Sequence, residues 1–186
     1  GSTESKVSVE IDGRGFRREL KIAARTVTNL IIDPNAQVKG EEINQRLAVH
    51  VVSDNPISVY GLNSRWQTTD TYLGLPVSVL GIDYMAIGYK YSEGLLSQFA
   101  VIATEDETNV TITPSVMTSK RHPAGEPFTV KLRRGDVFQV TSIMDQSSRT
   151  DLTGSRIVAD KKIAVFSGHQ CAYVPEGIVG CNHLVE

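Results

Sequence analysis

Apolar and polar residues alternate with a period of two along much of the chain. The clearest runs place apolar side chains at every second position, namely Val7, Val9 and Ile11; Leu47, Val49 and Val51; Phe99, Val101 and Ala103; Val110 and Ile112; and Phe128, Val130 and Leu132. Successive side chains of a β-strand point to opposite faces. Each run therefore predicts a strand with one face in a core and the other in water.

Turn-forming residues separate these runs. Glycine, proline, asparagine and aspartate cluster at Asp12-Gly13, Asp33-Pro34-Asn35, Asp54-Asn55-Pro56 and Arg134-Gly135-Asp136. Such residues favour the backbone conformations of chain reversals. No segment carries the sustained apolar stripe of an amphipathic helix. Short strands between frequent turns predict an all-β protein with an antiparallel, β-sandwich-like architecture.

A weak internal repeat divides the chain. Residues 53–60 (SDNPISVY) are similar to residues 159–166 (ADKKIAVF). Together with matching apolar patterns upstream, this repeat predicts two related β units in tandem, at residues 7–95 and 96–186. The pattern leaves open whether the two units pack as one domain.

The two predicted units differ at their ends. The second begins with a strand at residues 99–103 that the first lacks, and the chain stops at residue 186, where a counterpart of the strand near Tyr84 is expected. Strands at residues 99–103 and 184–186 are therefore expected to lack a neighbour. Unpaired strand edges recruit strands from other chains, so the pattern predicts self-association through these edges.

The charge balance argues against two classes of partner. The chain has 19 Lys and Arg residues against 21 Asp and Glu residues, a net charge of -2. It has no basic excess to neutralise the phosphates of nucleic acid, and no apolar run of the about 18 residues that cross a bilayer. Gly1-Ser2 resembles the residues that tag cleavage leaves, so the absence of a signal peptide says little about localisation.

Several motifs of the second half resemble the N-terminal domain of IgG Fc-binding proteins. They lie at residues 151–157 (DLTGSRI), 164–171 (AVFSGHQC) and 181–186 (CNHLVE). Weaker matches follow in the expected order through the first half, so the resemblance covers nearly the whole chain. One departure is Asn182, where the family usually has an acidic residue after the second cysteine.

The resemblance implies an extracellular or cell-surface domain without catalytic machinery or cofactor. Similar domains belong to large mucin-like proteins and to bacterial surface or secreted proteins. The expected function is that of an adhesive or structural binding module, with an extracellular protein or glycan ligand and other domains of the same chain as partners. A carbohydrate- or glycoprotein-binding, lectin-like domain is the alternative. Binding specificity lies in loops, so the resemblance does not identify the ligand.

The two cysteines, Cys171 and Cys181, are expected to form a disulfide. A short loop that contains a turn can bring their Cα atoms within the about 4.4–6.8 Å that a disulfide needs, and the extracellular setting implied by the resemblance favours oxidation. Two alternatives remain open: a pair of buried free thiols, and a tetrahedral zinc site formed with His169 and His183. Because residues i and i+2 of a strand share a face, this His-x-Cys and Cys-x-His spacing also follows from strand geometry alone.

The sequence predicts no catalytic residues and offers few candidates for ligand binding. The segment Ser167-Gly168-His169 lacks the Gly-x-Ser-x-Gly elbow of a serine hydrolase. The candidates for ligand contact are Arg65 and Trp66, an arginine beside the one tryptophan of the chain, and Tyr173. Aromatic and arginine side chains often carry the energy of protein interfaces. A tryptophan that fills the gap between loops is the competing interpretation for Trp66.

Overall fold

The protein is built from antiparallel strands. A computed structural model describes residues 1–65, 68–90, 95–144, 150–174 and 182–185. The strands in these ranges are β1 (Ser5–Ile11), β2 (Phe16–Ile22), β3 (Asn44–Gln45), β4 (His50–Ser53), β5 (Val59–Arg65), β6 (Thr68–Gly74), β7 (Asp83–Met85), β8 (Ser97–Ala103), β9 (Thr108–Thr113), β10 (Phe128–Leu132), β11 (Val137–Thr141), β12 (Arg156–Ala159), β13 (Ile163–Ala172) and β14 (Asn182–Val185).

Helix is confined to three short 3-10 turns within the described ranges, at Asp12–Arg14, Pro34–Ala36 and Val77–Val79. None of the described helices has the length and apolar character needed to cross a membrane. The strands form a five-stranded sheet (β14-β13-β8-β11-β3), a four-stranded sheet (β10-β9-β12-β7), a three-stranded sheet (β2-β1-β4) and a two-stranded hairpin (β5-β6). The prediction of an all-β, antiparallel fold is confirmed.

The main core lies between the five-stranded and four-stranded sheets, as in a sandwich. The five-stranded sheet contributes Phe99 and Val101 of β8, and the four-stranded sheet contributes Val110, Ile112 and Ile157. All five side chains are at most 1% exposed. Phe99 and Val101, and likewise Val110 and Ile112, stand two residues apart on one strand, so the alternation in the sequence correctly identified this buried face.

A second core covers the opposite face of β8. There, Ala100 and Ile102 pack against a cluster formed by Ile11, Leu47 and Val137. Consecutive residues of β8 therefore point into different cores, because side chains alternate between the two faces of a strand. Strand β8 therefore packs against a core on each face, fully buried on one and partly buried on the other, and lies at the centre of the structure.

The expectation that residues 99–103 form an unpaired edge is wrong. Strand β8 is hydrogen-bonded to β13 on one side and to β11 on the other. The sequence showed which face of this strand is buried, but strand order depends on contacts distant in sequence. Strand β14 is the last strand of its sheet within the described residues, and self-association through that edge stays a prediction.

The expectation of a strand through Leu47, Val49 and Val51 is only partly correct. Strand β4 begins at His50, and Val49 is 45% exposed. The preceding residues bond elsewhere, since the Leu47 amide donates to the Gln45 carbonyl and the Ala48 amide donates to the Gly135 carbonyl. These bonds replace a regular ladder, so the strand starts later than the alternation suggests.

Strands from both halves of the sequence share sheets. Strand β3 pairs with β11, and β7 pairs with β12. Both pairings join residues of the range 7–95 to residues of the range 96–186. The division into two related units at these boundaries stays a prediction.

Truncation inside the main core should destabilise the protein far more than truncation on its surface. Ile112→Ala removes a fully buried side chain and should lower the free energy of unfolding by about 2–5 kcal/mol. The matched control is Val52→Ala on β4, where the side chain is 51% exposed and the expected loss is below about 0.5 kcal/mol. Urea denaturation of both variants measures the difference, and equal losses would contradict the assignment of the core.

Candidate functional site

The hairpin of β5 and β6 is a part of the described structure where apolar side chains from two paired strands are turned toward solvent. The two strands pair without interruption from Val59 opposite Gly74 to Arg65 opposite Thr68. Because the register is continuous, alternate residues of both strands share a face. The hairpin therefore has one inner face and one outer face with different chemistry.

The inner face is attached to the five-stranded sheet through an aromatic contact. Tyr72 meets Phe166 of β13 with ring centroids 5.1 Å apart and an interplanar angle of 72°. Edge-to-face packing of this kind adds about 0.5–1.5 kcal/mol beyond the area that it buries. Gly61 lies directly opposite Tyr72, and a Cβ atom at Gly61 would lie 2.2 Å from the Tyr72 Cζ atom. The missing side chain at Gly61 leaves room for the tyrosine ring.

Burial of the ring has an electrostatic consequence. Desolvation raises the pKa of the Tyr72 phenol above its ordinary value, because burial disfavours the charged phenolate. The neutral phenol is thus part of the attachment between the hairpin and the sheet.

The outer face of the hairpin carries Tyr60, Leu62 and Leu73, which are 72%, 63% and 52% exposed. We call these three residues the hairpin outer face. Tyr60 stands directly opposite Leu73, and Leu62 stands opposite Thr71. Single exposed apolar residues are common, but a cluster of them on one face of a hairpin is typical of an interaction surface.

The candidates for ligand contact lie at and beyond this hairpin. Arg65 is the last residue of β5, but its side chain is outside the described part of the structure, as is the whole of Trp66. Tyr173 directly follows β13 and is partly buried. Their role in binding stays a prediction.

The hairpin outer face was not predicted from the sequence. Its signal was present in the alternation of Tyr60 and Leu62 in β5, but alternating apolar residues are ordinarily assigned to a core. The structure pairs Gly61 with Tyr72. A glycine opposite a tyrosine identifies the inner face of the hairpin, because the tyrosine ring occupies the space that a side chain at Gly61 would need.

Strand β13 holds the candidate disulfide and metal residues that the structure describes. His169 and Cys171 are 3% and 5% exposed, and His169 Nδ1 accepts a hydrogen bond of 3.0 Å from the Cys171 backbone amide. Cys171 is not a free thiol. Cys181 and the side chain of His183 lie outside the described residues. Both the disulfide and the zinc alternative therefore stay predictions.

Ser167 lies within strand β13, where its side chain takes part in a hydrogen bond to a neighbouring segment. Its hydroxyl is nearly buried and accepts a hydrogen bond of 3.3 Å from the Ile87 amide. Within the described ranges, no group of three or more His, Cys, Asp or Glu side chains is placed to hold a metal ion.

Comparison with known proteins finds sequence similarity to IgGFc-binding proteins. A sequence profile of the family described as "IgGFc binding protein" matches residues 70–186. An IgGFc-binding protein of Homo sapiens is 30% identical over 191 aligned positions, which cover 99% of this chain and 3% of that protein. The chain thus spans a small fraction of the curated relative. No solved structure matches the chain with statistical significance.

Substitution of Gly61 should displace the Tyr72 ring from its contact with Phe166. In Gly61→Ala the new methyl group overlaps the Tyr72 ring, and overpacking of this kind costs about 1–3 kcal/mol. Release of the ring should lower the pKa of Tyr72 toward the ordinary value of about 10. Absorbance titration of the tyrosines, with Tyr72→Phe to identify the signal, measures this change, and Asn63→Ala on the same strand is the control.

The sign of the pH effect follows from the raised pKa of Tyr72. The stability that depends on the neutral phenol is fully present below the pKa of the unfolded chain, about 10, and is lost as the pH rises through the higher folded-state pKa. This loss at alkaline pH should be smaller in Tyr72→Phe. An unchanged tyrosine titration in Gly61→Ala would contradict the proposed attachment.

Proposed function

The chain belongs to the IgGFc binding protein family, and we propose that it is a non-catalytic, adhesive protein-binding module of a larger secreted or cell-surface protein. The observation that carries this proposal is the hairpin outer face, with Tyr60, Leu62 and Leu73 exposed on one side of a rigidly paired hairpin. Family membership supports binding as the kind of function. The location of the contact rests on the hairpin.

The hairpin outer face has properties that suit a protein ligand. Tyrosine supplies a large apolar surface with a polar hydroxyl, and aromatic residues are enriched in protein interfaces. The seven paired positions of the hairpin hold the backbone of these side chains in place, so little conformational entropy is lost when a partner covers them. A partner with a complementary apolar patch would remove all three side chains from water.

The Fc region of immunoglobulin G is the first ligand to test. The printed name of the human relative states that this relative binds IgG Fc. Because the chain corresponds to 3% of that relative, its own binding of Fc is a proposal. The Fc fragment is also a folded protein, and the exposed apolar side chains of the hairpin outer face suit a protein ligand.

We further propose that Cys171 and Cys181 form a disulfide that closes the connection between β13 and β14. Asn182, the residue after Cys181, pairs with Ala172, the residue after Cys171. The register between these strands shifts between His169 and Ala172, which places Cys171 in an irregular part of the ladder. A disulfide between residues on the two sides of this pair would anchor β14, the last described strand of the sheet.

Removal of two apolar side chains from the hairpin outer face should weaken binding of human IgG Fc. Leu62→Ser/Leu73→Ser should raise the dissociation constant about tenfold or more, since truncation of a central interface residue often costs about 2 kcal/mol. Val27→Ser, at a residue that is 91% exposed and outside the hairpin, is the control. Biolayer interferometry with immobilised Fc measures all three proteins.

Two outcomes of this experiment would count against the proposal in different ways. Equal affinity of the double variant and the wild type would show that the hairpin outer face is not the contact. Failure of the wild-type chain to bind Fc would remove Fc as its ligand. Thermal unfolding of each variant confirms that a loss of binding does not come from a loss of fold.

Oxidised protein should contain one disulfide between Cys171 and Cys181. Its reduction should destabilise the protein by about 2–3 kcal/mol, the chain-entropy value for a short loop. Mass spectrometry of a proteolytic digest without reductant should detect the two linked peptides. Two alkylatable thiols in protein made under oxidising conditions would refute the pairing, and stoichiometric zinc would favour the alternative site.

A further inference from the structure

A cleft of about 310 Å³ lies between the turn that joins β1 to β2 and the 3-10 turn at Pro34–Ala36. It is separate from the hairpin outer face, since no residue of β5 or β6 lines it. The residues that line it are Ile11, Arg14, Gly15, Phe16, Arg18, Ile32, Asp33, Asn35 and Ala36. Its volume is at the lower end of the range of small-molecule sites.

The floor of the cleft is apolar. Ile11 is 1% exposed, and Phe16, Ile32 and Ala36 pack against the core cluster to which Ile11 belongs. An apolar floor beneath a few polar groups is the usual construction of a small-molecule site. It suits a ligand with a flat or weakly polar face.

The rim of the cleft is positively charged. Arg14 and Arg18 both line it, against a single acidic residue, Asp33. The Asp33 carboxylate already accepts a hydrogen bond of 2.7 Å from the Asn35 backbone amide. The Arg18 guanidinium lies over the Phe16 ring, 5.1 Å from its centroid, and donates one hydrogen bond of 3.0 Å to the Arg17 carbonyl, which leaves its other donors for a ligand. Within the described part of the chain, the Arg14 side chain makes no hydrogen bond or ion pair, so its donors are available to a ligand.

The turn that carries Arg14 is held in place before any ligand binds. The Gly13 amide donates to the Arg46 carbonyl at 2.7 Å, and the Arg46 guanidinium donates to the Asp12 carboxylate at 2.6 Å. Gly15 ends the turn with φ of 58°, a left-handed conformation that glycine adopts at low cost. The position of the Arg14 backbone is therefore fixed, which reduces the entropy lost on binding.

We propose that this cleft binds a small carboxylate whose body has an apolar face, the chemistry that acidic sugars and aromatic carboxylates share. Guanidinium groups match the geometry of a carboxylate and form charge-assisted hydrogen bonds with it. The apolar face of the ligand would lie on Ile32 and Ala36, with its carboxylate toward Arg14 and Arg18. The site goes beyond the proposed protein-binding function and does not depend on it.

Titrations of the isotopically labelled chain, followed by NMR, test the proposal and separate the two sources of ligand. The probes are N-acetylneuraminate and glucuronate as acidic sugars, benzoate as an aromatic carboxylate, and N-acetylglucosamine as a neutral sugar. We expect saturable shifts of the Gly15, Phe16 and Ala36 amides with at least one carboxylate and none with the neutral sugar. Shifts with sugars alone or with benzoate alone identify the source.

Charge-matched variants show whether the arginines of the cleft are responsible. Arg14→Ala/Arg18→Ala should weaken carboxylate binding by roughly tenfold or more, as expected for the loss of hydrogen bonds to a charged group. Arg17→Ala/Lys21→Ala removes the same charge from β2, where Arg17 pairs with Glu10 and Glu19 and Lys21 pairs with Glu4. This control should bind as the wild type does.

Three results would overturn the proposal. They are the absence of saturable shifts with every carboxylate, equal binding of carboxylates and the neutral sugar, and equal weakening in the two double variants. The titration of the wild-type chain locates the binding site from its amide chemical shifts without the variants. The proposal therefore remains testable if either variant fails to fold. Fc binding by the wild-type chain is independent of all these outcomes.

Discussion

The packing of β8 against a core on each face, together with its pairing along both edges, is the constraint on which the rest of the structure depends. Its Phe99 and Val101 side chains enter the main core, while Ala100 and Ile102 enter the second core. Its backbone bonds to β11 on one edge and to β13 on the other. A buried backbone needs its donors and acceptors satisfied, so β8 can occupy this position only where β11 and β13 pair with its two edges.

Both candidate binding surfaces are attached to this central strand. Phe166, which holds the hairpin through Tyr72, pairs with Ala100 of β8. Ile11, in the floor of the cleft, belongs to the second core, against which Ala100 and Ile102 pack. The rigid layers thus position two surfaces of different chemistry: an apolar hairpin face suited to a protein, and a basic cleft suited to a small anion.

The sequence predicts the faces of the strands better than their order. Alternation correctly identified Val101 and Ile112 as core residues, because the period of side-chain direction is a local property of a strand. The neighbours of residues 99–103 depend on pairing with β11 and β13, which lie 35 and more residues away along the chain, and local patterns do not encode such pairing. The hairpin outer face escaped prediction for a related reason, since an apolar residue such as Leu62 has the same pattern whether a sheet or solvent covers it.

Native-state amide hydrogen exchange tests the central position of β8 most directly. Amides of Phe99 and Val101 should exchange only through global unfolding, with protection equal to the full free energy of unfolding. Amides of the β5–β6 hairpin, which packs on the sheet through the Tyr72–Phe166 contact and through β14 and is exposed on its outer face, should exchange through a smaller, local opening. Exchange of the β8 amides at lower free energy than the hairpin amides would contradict the account.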